Sequence, residues 1–215
     1  GILNILLTIK EINKKIKIFY AASGQFYGNS KNNYFSENSE IKPTTPYAVA
    51  KAAGYWLVKI FRDNYNLYAC SGILFNHESP LRNNQFVTKK IINTSKLMLK
   101  NKSLKLKLGD INIYRDWGWT AEYVEAMWLM LQQKKPKDLI IGSGKKNSLK
   151  EFVNQVFSLL KIKKNRLENN KKNLKRVNDI KSYKADIRLT KKILKWQPKV
   201  DFKKIVFKLV NDQLY

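Results

Sequence analysis

Apolar and polar residues alternate along the chain in blocks that predict helices joined to short buried strands. Residues 2–13 carry leucine and isoleucine at helical spacing, and the apolar run Ile16–Ala22 predicts a strand that continues into a loop, S-G-Q-F-Y-G. Further strands are predicted at Tyr68–Phe75 and Leu139–Ile141, and no hairpin signal joins any of these strands. Such alternation is typical of βαβ units, so the pattern predicts an α/β fold with a mainly parallel sheet.

Capping residues mark the ends of several helices. Thr45 and Pro46 predict the start of a helix that ends near Tyr65, and Ser148 with Glu151 predicts a capping box for a helix that ends near Lys161. Two more helices are predicted at Phe86–Lys100 and Thr120–Gln133, the second with an apolar face made of Val124, Met127, Trp128 and Leu131. The remaining stretches are expected to be a surface loop at 29–45, a solvated connection at 161–175, and a tail of two short helices separated by Trp196-Gln-Pro198.

The organisation of these elements predicts two units. Residues 1–145 are expected to form the C-terminal half of a dinucleotide-binding type of domain, and residues 146–215 a mainly helical substrate-binding portion. The chain begins with Gly1 inside an apparent helix, and it contains no glycine-rich strand-turn-helix fingerprint for a dinucleotide. We therefore expect a partial chain that lacks its first βαβαβ half, on the order of a hundred residues.

Charge is the most unusual feature of the composition, with 42 Lys and Arg against 16 Asp and Glu and a formal net charge of +26. This balance raises the alternative of a nucleic-acid binder, but the lysines are spread through every segment and accompany no nucleic-acid-binding motif. We therefore expect no nucleic-acid partner. No apolar run reaches the ~18 residues that a membrane span needs, so no membrane partner is expected either. The single cysteine, Cys70, is compatible with a cytoplasmic location.

Tyr47 and Lys51 lie four residues apart in T-P-Y-A-V-A-K, which places them on one face of the predicted helix. A lysine ammonium there is expected to lower the pKa of the phenol, so that Tyr47 exchanges a proton with a sugar hydroxyl, and to bond a cofactor ribose. Ser23, one strand earlier, is placed to bond the same substrate oxygen. The order of Ser23, Tyr47 and Lys51 indicates the short-chain dehydrogenase arrangement and hence a Rossmann-like fold, with no metal in the site.

Longer motifs are more specific than this trio. The chain resembles the GDP-mannose 4,6-dehydratase family, an extended type of short-chain dehydrogenase, and the similarity runs in collinear order over nearly all of it. The motifs that carry the resemblance are G-I-L-F-N-H-E-S-P at 72–80, F-V-T-K-K-I at 86–91, R-D-W-G at 115–118, E-Y-V-E-A-M-W-L-M-L-Q at 122–132 and L-K-W-Q-P-K-V-D-F at 194–202.

The resemblance implies that NADP, or alternatively NAD, takes a hydride from C4 of the mannose while Tyr47 removes the O4 proton. A carboxylate then takes the C5 proton, water leaves from C6, and the hydride returns at C6. Matching positions imply the roles of individual residues: Ser23, Gln25, Tyr47 and Lys51 in catalysis, Tyr47, Lys51, His77 and Arg82 at the cofactor, and Asn76, Lys90, Arg115 and Arg176 at the GDP-sugar. A homo-oligomer is expected for the full-length protein.

The chain departs from the family motif S-E-x-Y-G, because it has G-Q-F-Y-G, and Gln25 stands where the family has its catalytic glutamate. A neutral amide cannot accept the C5 proton, and loss of a general base typically costs ~10²–10⁴ in rate. Three alternatives to an active dehydratase therefore stay open: a nucleotide-sugar epimerase or reductase, the basic nucleic-acid binder, and an inactive product.

Overall fold

The computed structural model describes residues 1–29, 33–169 and 180–214. The α-helices in these ranges are α1 (Ile2–Ile12), α2 (Pro46–Tyr65), α3 (Val87–Lys100), α4 (Thr120–Gln132), α5 (Leu149–Leu159), α6 (Arg188–Leu194) and α7 (Phe202–Val210). The strands are β1 (Ile18–Ser23), β2 (Tyr34–Phe35), β3 (Ala69–Leu74), β4 (Asn76–Glu78), β5 (Leu106–Leu108), β6 (Tyr114–Arg115), β7 (Trp117–Trp119), β8 (Leu139–Ile141), β9 (Asn147–Ser148), β10 (Leu167–Asn169) and β11 (Lys184–Ala185). Short 3-10 turns lie at Gly24–Tyr27 and Lys164–Arg166.

Three parallel strands, in the order β1-β3-β8, form the central sheet. The strand pattern predicted from the sequence is confirmed. Strands β3 and β8 are buried along almost their whole length, whereas β1 is buried at Ala22 and Ser23 and half-buried before them. Helices α1 and α2 cover one face, where α2 packs on β1 and β3. Helices α4 and α6 cover the other face, where Cys70, Leu139 and Ile141 pack with Tyr123 and Leu194. The result is the layered α/β arrangement expected from the sequence.

The predicted caps are present. The Thr45 hydroxyl accepts a hydrogen bond from the Ala48 backbone N–H at 3.2 Å, with Pro46 in the first turn of α2. Ser148 and Glu151 form the reciprocal capping box of α5. These local bonds satisfy backbone donors that a helix start leaves unpaired, which is why the sequence marked both boundaries correctly.

Several elements differ from their sequence predictions. The predicted loop at 29–45 contains β2, which pairs in parallel with β11, and the loop after β1 is a 3-10 turn. The described part of the predicted connection at 161–175 contains β10, paired with β5, and the rest lies outside the described residues. The predicted apolar face of α4 is only partly correct. Met127 and Leu131 pack against the core, but Val124 and Trp128 are 53% and 59% exposed, and the residues that α4 buries are Tyr123, Ala126 and Met130.

A second core lies beside the sheet, where α3, α5 and α7 pack around Trp117. Its residues come from both sides of position 145, since Ile91 and Trp119 pack in the same cluster as Phe152 and Val206. The division of the chain at 145 stays a prediction. This core supports β7, which pairs with β4 and so reaches the end of the central sheet. No helix among the described residues is both long and apolar enough to cross a bilayer.

Candidate functional site

The candidate site lies at the carboxyl end of the central sheet. Ser23 is the last residue of β1 and is in register with Leu74, the last residue of β3. Asn76 and His77 follow directly in β4, so the side chains expected at the cofactor and the substrate emerge at the same edge as Ser23. Parallel sheets bind ligands at this edge because the loops that follow the strands meet there.

Tyr47 and Lys51 lie one turn apart at the start of α2, as the sequence predicted. The Tyr47 side chain is exposed, and the Lys51 ammonium lies 5.8 Å from the centre of its ring. Lys51 donates a hydrogen bond to the Ala21 carbonyl at 2.8 Å, which ties the first turns of α2 to β1. Partial burial lowers the pKa of Lys51, because the charged form loses hydration.

Gly54 lies where α2 packs against the side chain of Tyr20 in β1. A Cβ at this position would lie 2.2 Å from the Tyr20 hydroxyl and 2.4 Å from its ring carbon, far closer than atoms can pack. Glycine at this position therefore leaves room for the Tyr20 side chain under α2. The glycine costs helix propensity but avoids this overlap.

Gln25 lies in the 3-10 turn that follows β1. Its backbone N–H is bonded to the Ser23 hydroxyl at 3.3 Å, so Ser23 caps this turn. The Gln25 side chain is exposed, whereas its neighbours Gly24 and Phe26 are buried. A Cβ on Gly24 would lie 2.9 Å from the Phe75 ring, which packs the turn tightly against the residue before Asn76. The side chain at position 25 is therefore exposed to solvent just beyond the carboxyl end of β1.

His77 and Arg82 line a cavity of about 260 Å³ together with Ser79, Leu81, Asn83, Phe86 and Thr120. The His77 Nδ1 lies 3.0 Å from the Phe75 carbonyl, and burial lowers the pKa of its ring, which favours the neutral form. Arg82 donates to the His77 carbonyl, and its guanidinium stacks 3.9 Å from the centre of the Phe86 ring.

The buried carboxyl group of Glu78 contacts Arg82, one of the residues that line this cavity. Glu78 is 1% exposed, accepts a bond from the Thr88 hydroxyl at 2.8 Å, and lies 3.3 Å from the Arg82 Nε. Burial raises the pKa of Glu78 to about 7, although Arg82 and Thr88 oppose the change. Glu78 thereby links Arg82 to the first turn of α3.

Asn76 and Arg115 are joined through Tyr183. The Tyr183 hydroxyl donates to the Asn76 Oδ1, and the Arg115 guanidinium carbon lies 5.5 Å from the centre of the Tyr183 ring. Arg115 also donates to the Ile180 carbonyl at 2.6 Å. The structure therefore brings together two of the four residues predicted at the GDP-sugar.

The other two predicted substrate residues are not joined to this group by any described contact. Lys90 is an exposed residue of α3 that donates to the Lys107 carbonyl at 3.2 Å. Arg176 lies outside the described residues. The roles of both stay predictions.

Sequence reasoning missed three residues of this region: Glu78, Asp116 and Tyr183. Asp116 is fully buried and accepts hydrogen bonds from Ser143, Gly144 and Ala185, so it fixes the chain beside Arg115. Glu78 lies within the motif N-H-E-S-P and Asp116 within R-D-W-G, so these two motifs were the signal that could have identified the buried carboxylates. Tyr183 stands in no such motif.

Comparison with known proteins places this arrangement in a family. Residues 1–209 match the family described as GDP-mannose 4,6 dehydratase. The chain belongs to this family. The family resemblance drawn from the sequence motifs is thereby confirmed.

Members of the GDP-mannose 4,6-dehydratase family from distant organisms match nearly the whole chain. GDP-mannose 4,6 dehydratase 1 of Arabidopsis thaliana is 38% identical over 219 residues, covering 100% of this chain and 60% of that protein. GDP-mannose 4,6 dehydratase of Homo sapiens is 35% identical over 230 residues, covering 98% of this chain and 62% of its own length. The chain thus spans about three fifths of the length of these curated relatives.

Solved structures of proteins with lower sequence identity share the fold of this chain. A dTDP-glucose 4,6-dehydratase from Bacillus anthracis, in complex with NAD, superimposes with a TM-score of 0.88 at 21% identity and covers 98% of this chain and 65% of that one. RMD from Pseudomonas aeruginosa, complexed with NADPH, gives a TM-score of 0.87 at 20% identity and covers 100% of this chain and 72% of that one. At these identities the likeness concerns the fold, and it confirms the expected Rossmann-like class.

Proposed function

We propose that the chain carries the substrate-side and proton-transfer residues of a GDP-mannose 4,6-dehydratase, which converts GDP-mannose to GDP-4-keto-6-deoxymannose with NADP. The observation that carries the proposal is the grouping at one sheet edge of Ser23, the α2 pair Tyr47 and Lys51, and the Asn76–Tyr183–Arg115 contact. Family membership supports the same activity.

This geometry supports a role for each of these residues. Tyr47, exposed at the start of α2, takes the O4 proton of the mannose, and Ser23 at the end of β1 hydrogen-bonds the same oxygen. Lys51, fixed by the Ala21 carbonyl, holds its ammonium group 5.8 Å from the centre of the Tyr47 ring. Arg115 supplies a charged donor for the diphosphate.

The residues present fit a nicotinamide cofactor. The cavity beside His77 and Arg82 has a cationic donor in Arg82 and an aromatic wall in Phe86, and the neutral His77 ring keeps its Nε2 for a ligand because the Phe75 carbonyl occupies Nδ1. Lys51 would hold the cofactor ribose. When bound, the cofactor would accept and return the hydride. Relatives of the fold are described in complex with NAD or NADPH, which supports a nicotinamide cofactor, and we propose NADP with NAD as the alternative.

The experiment is a turnover assay of the complete gene product with GDP-mannose and catalytic NADP, with the product identified by mass spectrometry. Tyr47→Phe removes the proton-transfer hydroxyl and should lower the rate by ~10² or more. Failure of the unaltered protein to bind GDP-mannose would overturn the proposal. A salt-sensitive RNA shift without GDP-mannose binding would instead favour the basic nucleic-acid binder.

Gln25 supports a second candidate, an epimerase or reductase that acts at C4. Such a reaction requires Tyr47, Lys51 and the cofactor but no base at C5, and the amide at position 25 cannot serve as one. The two candidates differ in their product, because only the dehydratase loses the C6 hydroxyl as water.

A homo-oligomer is also proposed, on the basis of an exposed apolar stripe. On α2, Val49, Ala53, Trp56 and Ile60 are exposed at spacings of four, three and four residues, the pattern of a helix seam that packs against other helices. Leu3 and Leu7 of α1, the helix that packs against α2, are also exposed, and all six residues are apolar in a chain of net charge +26. Trp56→Glu should shift the protein toward monomer in analytical ultracentrifugation, and an unchanged mass would contradict the assignment.

The cytoplasmic location stays a prediction.

A further inference from the structure

Tyr183 is a buried residue, 3% exposed, whose backbone is fixed on both sides. The Tyr114 N–H donates to the Lys181 carbonyl at 2.8 Å, and the Lys184 N–H donates to the Asn33 carbonyl at 2.9 Å. The segment that carries Tyr183 therefore bridges β6 and the start of β2, and its side chain has a defined place between them.

The Tyr183 side chain fills the space between the ends of two strands. Its ring packs 5.0 Å from the Phe75 ring, at an angle of 36°. Its hydroxyl donates to the Asn76 Oδ1, and the Arg115 guanidinium lies over its ring. One side chain thus contacts both residues that the structure groups at the predicted GDP-sugar site.

The direction of the hydrogen bond determines what Asn76 can offer a substrate. An asparagine amide carries an acceptor oxygen and a donor NH₂, and the two ends exchange when the amide rotates by half a turn. With the Oδ1 engaged by Tyr183, the NH₂ group is left to donate, which suits phosphate and sugar oxygens. Without that hydroxyl, nothing in this contact would prevent the amide from presenting its oxygen to the ligand.

The hydroxyl is suited to this task over a wide pH range. Burial raises the pKa of Tyr183, and the neighbouring Arg115 opposes the change without reversing it. The phenol therefore stays protonated, and remains a donor, at neutral and moderately alkaline pH.

We propose that Tyr183 is a positioning residue for substrate binding: its hydroxyl orients the Asn76 amide as a donor toward the GDP-sugar, and its ring supports the Arg115 guanidinium. The inference rests on the proposed function, since it names how that same substrate is held.

The test is calorimetric binding of GDP-mannose to the complete gene product and to its Tyr183→Phe variant, which keeps the ring and removes only the hydroxyl. Loss of one orienting hydrogen bond should weaken binding by about 3- to 12-fold. Tyr68→Phe is the matched control, because the Tyr68 hydroxyl bonds the Met130 and Gln133 carbonyls at 2.9 and 2.8 Å, away from the site. This control should lose thermal stability but keep its affinity.

A double-mutant cycle separates positioning from general structure. If Tyr183 acts through Asn76, Tyr183→Phe should cause no further loss of affinity in an Asn76→Ala background. An equal loss in both backgrounds, or equal affinity of Tyr183→Phe and the unaltered protein, would overturn the role of Tyr183 while leaving the proposed function in place. Absence of GDP-mannose binding by the unaltered protein would overturn the proposed function itself, and the role of Tyr183 with it.

Discussion

Replacing Gln25 by Glu should restore a base for the C5 proton and raise the rate of dehydration. Glutamine and glutamate have nearly the same shape, and the backbone of the turn is already fixed by the bonds from the Gln25 N–H to the Ser23 hydroxyl and from the Gly28 N–H to the Gln25 carbonyl. The side chain at position 25 is exposed, so a carboxylate there would keep most of its hydration. It would be ionised, and able to accept a proton, at neutral pH.

The expected gain is ~10²-fold or more, since a positioned general base typically contributes 10²–10⁴. At about 1.4 kcal/mol for each factor of ten, this corresponds to a barrier lowered by roughly 3 kcal/mol or more. The assay follows formation of the 4-keto-6-deoxy product from GDP-mannose, together with deuterium exchange at C5. Gln197→Glu, an exposed change of the same charge in the segment between α6 and α7, is the matched control and should leave the rate unchanged.

The Gln25 protein is expected to oxidise C4 but to form the product slowly. Rapid turnover with C5 exchange in the Gln25 protein would refute the reasoning, because another residue or a water chain would then be the base. No gain in Gln25→Glu would equally contradict the assignment of this position.

Three further predictions concern binding and stability. Arg115→Ala should weaken GDP binding by ~1.5–3 kcal/mol in calorimetry, the scale of a charge-assisted hydrogen bond, and unchanged affinity would remove Arg115 from the site. Glu78 has its pKa raised to about 7, so the folded state binds its proton more tightly than the unfolded state does. The unfolding free energy of the unaltered protein, compared with that of Glu78→Gln, should therefore fall by up to roughly 3 kcal/mol as pH rises through about 7. Urea titrations from pH 4.5 to 8 measure this difference, and a difference that does not change with pH would contradict the raised pKa. Gly54→Ala should destabilise by ~1–3 kcal/mol, despite better helix propensity, because its Cβ would overlap the Tyr20 ring; a higher melting temperature would contradict this packing.

The sequence by itself determined the elements whose causes are local. Apolar runs identified β1, β3 and β8, because strands of a sheet covered by helices on both faces need no polar alternation. Thr45, Pro46 and the capping box at Ser148 marked helix starts, since a cap bonds a backbone group only three residues away. The sequence alone also shows the spacing of Tyr47 and Lys51 on α2 and the motifs that carry the family resemblance.

Only the tertiary structure decided which apolar face of α4 is buried. This helix carries large apolar residues around most of its circumference, so helical periodicity defines no unique inner face. Packing against the sheet determines which face is buried, because Tyr123, Ala126 and Met130 pack in one cluster with Cys70 and Leu139. Val124 and Trp128 are left outside.

The same holds for the contacts that shape the site. The hydrogen bond between Tyr183 and Asn76 joins residues 107 positions apart, and Arg115 reaches Ile180 across 65 positions. No local sequence pattern encodes such pairs. They form only when the fold brings β4, β6 and the start of β11 together at one edge of the sheet. The sequence named Asn76 and Arg115 through a family motif, but the tyrosine that holds them together became visible only when the chain was folded.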